Sequence, residues 1–326
     1  MQGLAGYIVR RLLLFPVILF AVSIVTFTLL RLTPADYVDI QAGQRATPET
    51  KERIREERGL NDPVYEQYFR YTTNFARGDF GQSVIHRGAD IEDVIFPRLW
   101  VSLQYNVVVL ILTFTIGIPV GTFAAMRRGT WMDPFSIGTF LAFTSIPVLV
   151  SIPVLQWLFV LKLDWLPSGG WSDQEYLGVE IGLLSKRAIL PILILTLPGI
   201  AGIARYMRAQ VLDVLDQDFV RTARSKGLEE YVVVSRHVVR NAMLPIATLL
   251  GFELAALFSG SLFVETFLGI PGIGRYAFDA IGSRDYDSVM AIVLLGSAVF
   301  MLANLLADLA YGFIDPRIRL SGQAES

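Results

Sequence analysis

The sequence predicts an all-α membrane protein that crosses the bilayer six times, and three observations carry that expectation. Hydrophobic residues occupy 53% of the 326 positions and the mean hydropathy is +0.50, above the range of ordinary soluble domains. Six apolar runs, at about 12–30, 103–125, 135–161, 188–204, 245–267 and 289–313, approach or exceed the length needed to cross a hydrocarbon core of about 30 Å. The basic residues are unevenly shared between the connections. Arg10, Arg11, Arg127, Arg128, Arg317, Arg319 and seven more between Arg205 and Arg240 fall on the side of the N-terminus, whereas the opposite short loops hold few. That asymmetry predicts both termini in the cytoplasm of a multi-pass membrane protein.

The first run, within an anchor spanning 1–30, follows Arg10-Arg11. It is too long for the core of a signal peptide, and no small-residue cleavage site follows it. Residues 31–100 form an extracytoplasmic segment with short helices. Thr47-Pro48-Glu49 supplies an N-cap, a first-turn proline and an early acid, and Gly59 ends that helix. Asp62-Pro63 opens a second, in which Val64, Tyr68, Tyr71 and Phe75 share one face and Gly78 closes the run. Arg77-Gly78-Asp79 is then a turn rather than an adhesion motif. Pro119, Pro147 and Pro153 remove backbone donors inside the second and third runs, so kinks are expected there. The core membrane domain is read as 101–314, enclosing a polar loop at 208–244, with a cytoplasmic tail at 315–326.

That loop is the most informative stretch. A helix from about Asp216 to Lys226 would place acids at its start and Arg224 and Lys226 at its end, complementing the helix dipole. Gly227 can then adopt the left-handed conformation that ends a helix. A second helix from about Glu229 would present Tyr231, Val234, Val238 and Ala242 on one face, and Leu244-Pro245 would mark its junction with the next span. Charge asymmetry alone requires none of this arrangement.

Ionisable residues within spans are functional candidates because a charge in lipid is costly. Glu253 is a candidate for a solute path. Glu265 lies near an outer end, with Asp308 near an inner one. The absence of cysteine, with His86 and His237 far apart in the topology, leaves no expected metal site. A net charge of −2 with no basic block excludes nucleic acid as a partner. An ion-coupled carrier should show internal repeats or matched intramembrane charges, and an intramembrane enzyme needs a nucleophile with its base or a ligand cluster. Neither pattern is present.

Arg221-Thr222-Ala223-Arg224-Ser225-Lys226-Gly227 resembles the Glu-Ala-Ala…Gly motif of binding-protein-dependent ABC permeases, in the version of the dipeptide/oligopeptide family. The likeness extends to Arg77-Gly78-Asp79-Phe80-Gly81-Gln82-Ser83, Glu265-Thr266-Phe267, Pro271-Gly272-Ile273-Gly274, Arg284-Asp285-Tyr286 and Asp315-Pro316-Arg317, nearly the whole chain. Arg221 and Thr222 replace the general motif's glutamate and first alanine. The resemblance implies a type I ABC importer permease fold and the first of two permease subunits of a peptide importer. It would work with a second permease, two cytoplasmic ABC ATPases and an extracytoplasmic substrate-binding protein. Arg221, Thr222, Ala223, Gly227, Leu244 and Pro245 would form the ATPase-coupling loop. Glu265, Pro271 and Gly272 would serve an outer gate or the binding-protein dock. No phosphate-cradling Gly-x-x-x-x-Gly-Lys-Ser/Thr occurs, so no cofactor is expected on this chain, and ATP and Mg would be used by the ATPases.

Overall fold

The computed structural model describes residues 4–32, 38, 47–57, 59–86, 88–171, 175–176 and 179–314. The tail 315–326 and the side chain of Asp308 lie outside them. The helices are α1 (Leu4–Leu32), α2 (Pro48–Glu57), α3 (Val64–Ala76), α4 (Ile91–Met126), α5 (Met132–Ser145), α6 (Val148–Gln156) and α7 (Ile189–Leu215). They continue as α8 (Asp218–Ser225), α9 (Glu230–Val232), α10 (Arg240–Ala256), α11 (Leu262–Leu268), α12 (Ile273–Gly282) and α13 (Tyr286–Ile314). Paired strands among the described residues amount to a two-residue antiparallel ladder, Glu175–Tyr176 with Val179–Glu180, and an isolated bridge between Gln82 and Asp90.

All six apolar runs are helical, in three different ways. Among the described residues four helices, Val9–Leu32, Ile91–Met126, Lys186–Leu215 and Tyr286–Leu306, are each long and apolar enough to cross a bilayer. The run at 135–161 is α5 and α6 joined at a 97° bend. Ile146 is extended there (φ −78°, ψ 117°) because a residue before proline is driven out of the helical region. Pro153 is accommodated within α6, which passes into a π-helical turn at Trp157–Lys162, whereas α4 runs on through Pro119 without interruption. The run at 245–267 is divided. α10 ends at Ala256, Gly260 takes a left-handed φ of 66°, and the short α11 follows.

The chain forms two compact units, one of residues 1–102, 258–262 and 271–326, the other of 103–257 and 263–270. In the first, α1 packs against α13 and α3. Ser23, a hydroxyl in an apolar helix, is buried and bonds Tyr68 Oη at 2.6 Å, with Phe20 and Phe27 edge-on to the tyrosine ring. The expected caps form: Thr47 Oγ1 accepts the Thr50 amide at 3.3 Å, and Gly59 and Gly78 have φ of 58° and 88°. Phe80, Ile91, Val94, Ile95, Ile273 and Tyr276 make this unit's core. Asp285 is fully buried and organises the segment beside them. One carboxylate oxygen accepts from Ser83 Oγ and the Val84 amide, both at 2.8 Å, while the other caps α13 through the Ser288 amide at 3.3 Å.

In the second unit α4 and α7 cross closely because both are glycine-lined at the contact. A Cβ at Gly117 would lie 2.9 Å from the Ile203 side chain, one at Gly121 would overlap the Ala204 carbonyl oxygen, and one at Gly199 would lie 2.7 Å from Thr113 Oγ1. Small residues at such spacing let helix backbones approach where lipid supplies no hydrophobic drive. Asp133, at the start of α5, receives Arg208 Nε of α7 at 3.1 Å.

Candidate functional site

α7 stops at Leu215, and Gln217 is extended (φ −79°, ψ 149°) before α8 begins. Within α8, Asp218 lies in the first turn and Arg224 in the last, the order that suits the helix dipole. Val220 and Ala223, three residues apart, turn inward and are buried. They join Val211 and Val214 of α7, together with Val233, Val238, Ala242 and Ile246, in one core cluster. The opposite face is polar: Arg221 lies 3.5 Å from Asp218, and Thr222 Oγ1 donates to the Asp218 carbonyl at 2.9 Å. Gly227 has φ of 76°, the left-handed value expected of it, and its amide donates to the Arg224 carbonyl at 2.9 Å.

After the turn the chain does not pause at Leu244-Pro245. Glu230–Val232 leads into a π-helical stretch, Val233–Val239, which passes directly into α10. Pro245 therefore sits inside a helix, and the expected junction is corrected. From Glu230 to Pro245 the helical path rises about 20 Å, and the flanking Ala242 and Ile246 belong to the same buried cluster as Val220 and Ala223. The expected apolar face also shifts. Tyr231 is 80% exposed, whereas Val233, Val238 and Ala242 are buried. π-Helical bonding runs from i to i+5, which aligns Val233 with Val238; a 3.6-residue period selects Tyr231 instead.

Arg224 and Glu230 supply what the sequence reading missed. Arg224 Nε and Nη2 donate to the two Glu230 carboxylate oxygens at 3.1 and 2.7 Å, bridging Gly227. The hydrogen bond from Arg224 holds the Glu230 carboxyl below its usual range. Opposite charges on either side of a helix-ending glycine were the available signal. Around this bridge Phe219, Leu228 and Tyr231 remain exposed, giving the segment an apolar surface beside its basic one.

The other expected residues fall elsewhere. Glu253 is exposed on α10. Glu265 is fully buried and accepts a hydrogen bond from Tyr105 Oη at 2.5 Å. The Tyr105 ring meets Trp171 edge-on at 6.1 Å, and the Ile270 amide closes α11 on the Glu265 carbonyl at 2.8 Å. Pro271 is exposed and Gly272 buried, the latter as the N-cap of α12. Among the described residues no group of three or more His, Asp or Glu could hold a metal ion. His86 receives Arg98 Nη2 at 2.9 Å; burial first, then the Arg98 charge, holds its imidazole below the usual pKa, in keeping with an acceptor nitrogen.

A helical hairpin packed by its apolar face against α7 and α10, with a basic and aromatic face exposed, is thus set among helices apolar enough to cross a membrane. Residues 117–320 match the family described as "Binding-protein-dependent transport system inner membrane component". Residues 4–91 match "Binding-prot-dependent transport system membrane comp, N-term". The chain is 38% identical to the probable peptide ABC transporter permease protein y4tP of Sinorhizobium fredii, covering 96% of this chain and 99% of that protein. It is 35% identical to the oligopeptide transport system permease protein AppB of Bacillus subtilis, covering 97% and 99%. It is likewise 35% identical to the glutathione transport system permease protein GsiC of Escherichia coli, covering 96% and 99%. Among solved structures, the inward-facing MetNI methionine ABC transporter aligns with a TM-score of 0.50 at 18% identity, over 70% of this chain and 96% of that one, a likeness of fold. The chain belongs to the binding-protein-dependent ABC transporter permeases, in their dipeptide/oligopeptide branch, and has the all-α type I importer permease fold.

Proposed function

We propose that this permease subunit carries di- or oligopeptides inward, with α8 and the Gly227 turn as the surface that receives the motion of a cytoplasmic ATPase. The observation that carries the reading is the burial of Val220 and Ala223 in one cluster with α7 and the Val233–Ile246 face. A displacement of α8 cannot be absorbed locally in a close-packed core. It passes to α7 and α10 as rigid elements. Arg221, Thr222, Phe219 and Tyr231 form the outward contact surface, Gly227 sets the hairpin angle, and Leu244 and Pro245 lie along the helix that conveys the motion.

The arginine asymmetry of the short loops supports a cytoplasmic position for this hairpin and for both termini. A second permease, two ATPases that bind ATP and Mg, and an extracytoplasmic binding protein complete the machine. This subunit supplies the path and the coupling surface, while its partners supply the hydrolysis. Glu253 is assigned to the path, where its carboxylate would meet a peptide's α-ammonium group. Glu265 is assigned to holding α11 in place from its buried bond with Tyr105, and Pro271-Gly272 to the outer face that meets the binding protein. The named substrates of the relatives, peptide, oligopeptide and glutathione, support a peptide-like solute.

The test is reconstitution of the complete complex in proteoliposomes with its binding protein. The expected results are ATP-dependent uptake of labelled di- to pentapeptides, reduced by Glu253→Gln at equal protein level, and cross-linking of a cysteine at Thr222 to the ATPase. Uptake of a nickel chelate or an oligosaccharide with no peptide uptake would overturn the substrate assignment. Absence of the ATPase cross-link would overturn the coupling assignment.

A further inference from the structure

We propose that Asn106 is a second solute-binding residue, holding a backbone N–H of an extended peptide whose α-ammonium group is held by Glu253. The inference rests on the peptide reading above and adds what the path recognises. Between Arg240 and Glu265 the chain has one charged side chain, Glu253, and from Val107 to Met126 α4 carries neither a charge nor a carboxamide. One bond brings Asn106 to Glu253. Asn106 Nδ2 donates to the Leu257 carbonyl at 2.9 Å, and Leu257, the helical C-cap of α10, is four residues beyond Glu253. Residues four apart on a helix share a side, so Asn106 meets α10 on the side of Glu253, about 6 Å further along the axis.

Both groups keep capacity for a ligand. The Glu253 carboxylate is exposed and makes no hydrogen bond or ion pair among the described residues, and a carboxylate within a span belongs beside water or protein rather than lipid. Asn106 is part-buried, and its bond to Leu257 uses one of two N–H donors. Because a carbonyl can only accept, the carboxamide nitrogen must face α10 and its oxygen must turn away. The preceding Tyr105 is fully buried and bonds Glu265 of α11, which anchors α4 beside Asn106. Spacing then selects the ligand. An extended chain advances about 3.3–3.6 Å per residue, so with its ammonium at Glu253 the N–H of the second peptide bond comes level with the Asn106 oxygen. One turn away, Leu110 of α4 and Leu249 of α10 pack against the buried cluster that holds Val220 and Ala223. The pair therefore stands at the end of the packed core through which α8 acts in the coupling proposal. Both contacts are to backbone groups, so the path selects a free α-ammonium and one peptide N–H rather than a side chain.

The experiment uses the reconstituted complex with its binding protein and three labelled probes: trialanine, alanyl-alanyl-lactate, in which an ester replaces the second peptide bond, and alanyl-lactyl-alanine, in which an ester replaces the first. The same binding protein delivers all three, so a preference that changes when only the permease changes belongs to the path. Asn106→Leu is expected to lower the kcat/KM preference for trialanine over alanyl-alanyl-lactate about fivefold, the size of one hydrogen bond, and to leave the preference over alanyl-lactyl-alanine unmoved. Glu253→Gln is expected to lower the same preference, because without the ammonium anchor the second N–H is no longer held at Asn106. A purely structural Asn106 would lower uptake of all three probes alike, and that result would overturn the proposal. So would a change confined to alanyl-lactyl-alanine, or a preference that Glu253→Gln leaves intact. If the parent complex takes up no trialanine, the peptide reading has failed and this inference with it; trialanine uptake with an unmoved preference in both variants defeats this inference alone.

Discussion

Arg224 and Glu230 clasp one another across the left-handed turn at Gly227, with Nε donating to one carboxylate oxygen and Nη2 to the other. Their side chains are 42% and 51% exposed, so the pair adds at most about 1 kcal/mol to stability. The pair joins the last turn of α8 to the start of the helix at Glu230, and under the coupling proposal that link steadies the hairpin whose angle Gly227 sets. Glu230→Gln should therefore leave the melting temperature of the complex nearly unchanged and weaken substrate-stimulated ATP hydrolysis. The exchange Arg224→Glu with Glu230→Arg should restore much of it. Equal loss in the single variant and the exchange would mean that the charges contact the ATPase rather than each other.

The same pair sets a pH expectation. The folded carboxyl lies below its unfolded value of about 4.3, so the bridge is fully present above that value and lost only as pH falls through the lowered one. The Glu230→Gln effect on ATPase stimulation should thus be constant from about pH 6 to 8. An effect that vanished toward pH 6 would point to a different titrating group.

At the crossing of α4 and α7, Gly121→Leu inserts a side chain where even a Cβ overlaps the Ala204 carbonyl. Overpacking of this kind costs about 1–3 kcal/mol or more, so the thermal midpoint in detergent should fall by several degrees. Gly138→Ala on α5, where a Cβ meets nothing within 4 Å, is the matched control and should melt at or above the parent temperature.

The Asp133–Arg208 pair predicts a different pattern. Its side chains are only 15% and 17% exposed, and removing one partner strands a charge. Asp133→Asn should cost up to about 3 kcal/mol. The double change Asp133→Leu with Arg208→Leu should recover part of that loss, because it buries no unpaired charge. Additive losses in the melting curves would contradict the reading of the pair as a mutual contact.

Local signals made Gly227 legible: a glycine between two helix-forming stretches has one common use, and its φ is 76°. Thr47, Gly59 and Gly78 were readable for the same reason. The inward turn of Val233 was not, because it follows from π-helical bonding that an α-helical period cannot reproduce. Pro245 misled because a proline's cost depends on neighbours that the sequence does not display, and here the helix carries it. Asp285 with Ser83, and Tyr105 with Glu265, join residues some 200 and 160 positions apart. Only the fold brings them together.

Orientation is directly testable because the chain contains no cysteine. Single cysteines at Arg77, in the exposed turn after α3, and at Ser225, exposed at the end of α8, should behave oppositely toward a membrane-impermeant thiol reagent in intact cells. Labelling is expected at position 77 and, only after permeabilisation, at 225. The reverse pattern would place the α8 hairpin outside and remove its access to an ATPase.

The most direct test of the account is Gly227→Val in the assembled complex. A Cβ at Gly227 would meet nothing within 4 Å, so the substitution crowds no neighbour and acts through φ alone. A β-branched residue is strongly disfavoured at 76°. The turn must therefore reopen and change the angle of α8, whereas Gly227→Asn, which tolerates that region, should retain most function. The measurement is ATP hydrolysis stimulated by peptide-loaded binding protein, made on complexes matched for assembly and membrane level. The account predicts intact basal hydrolysis with the stimulation lost in Gly227→Val and largely kept in Gly227→Asn. Full stimulation and uptake in Gly227→Val would show that the hairpin is a passive connector, contradicting its role in coupling.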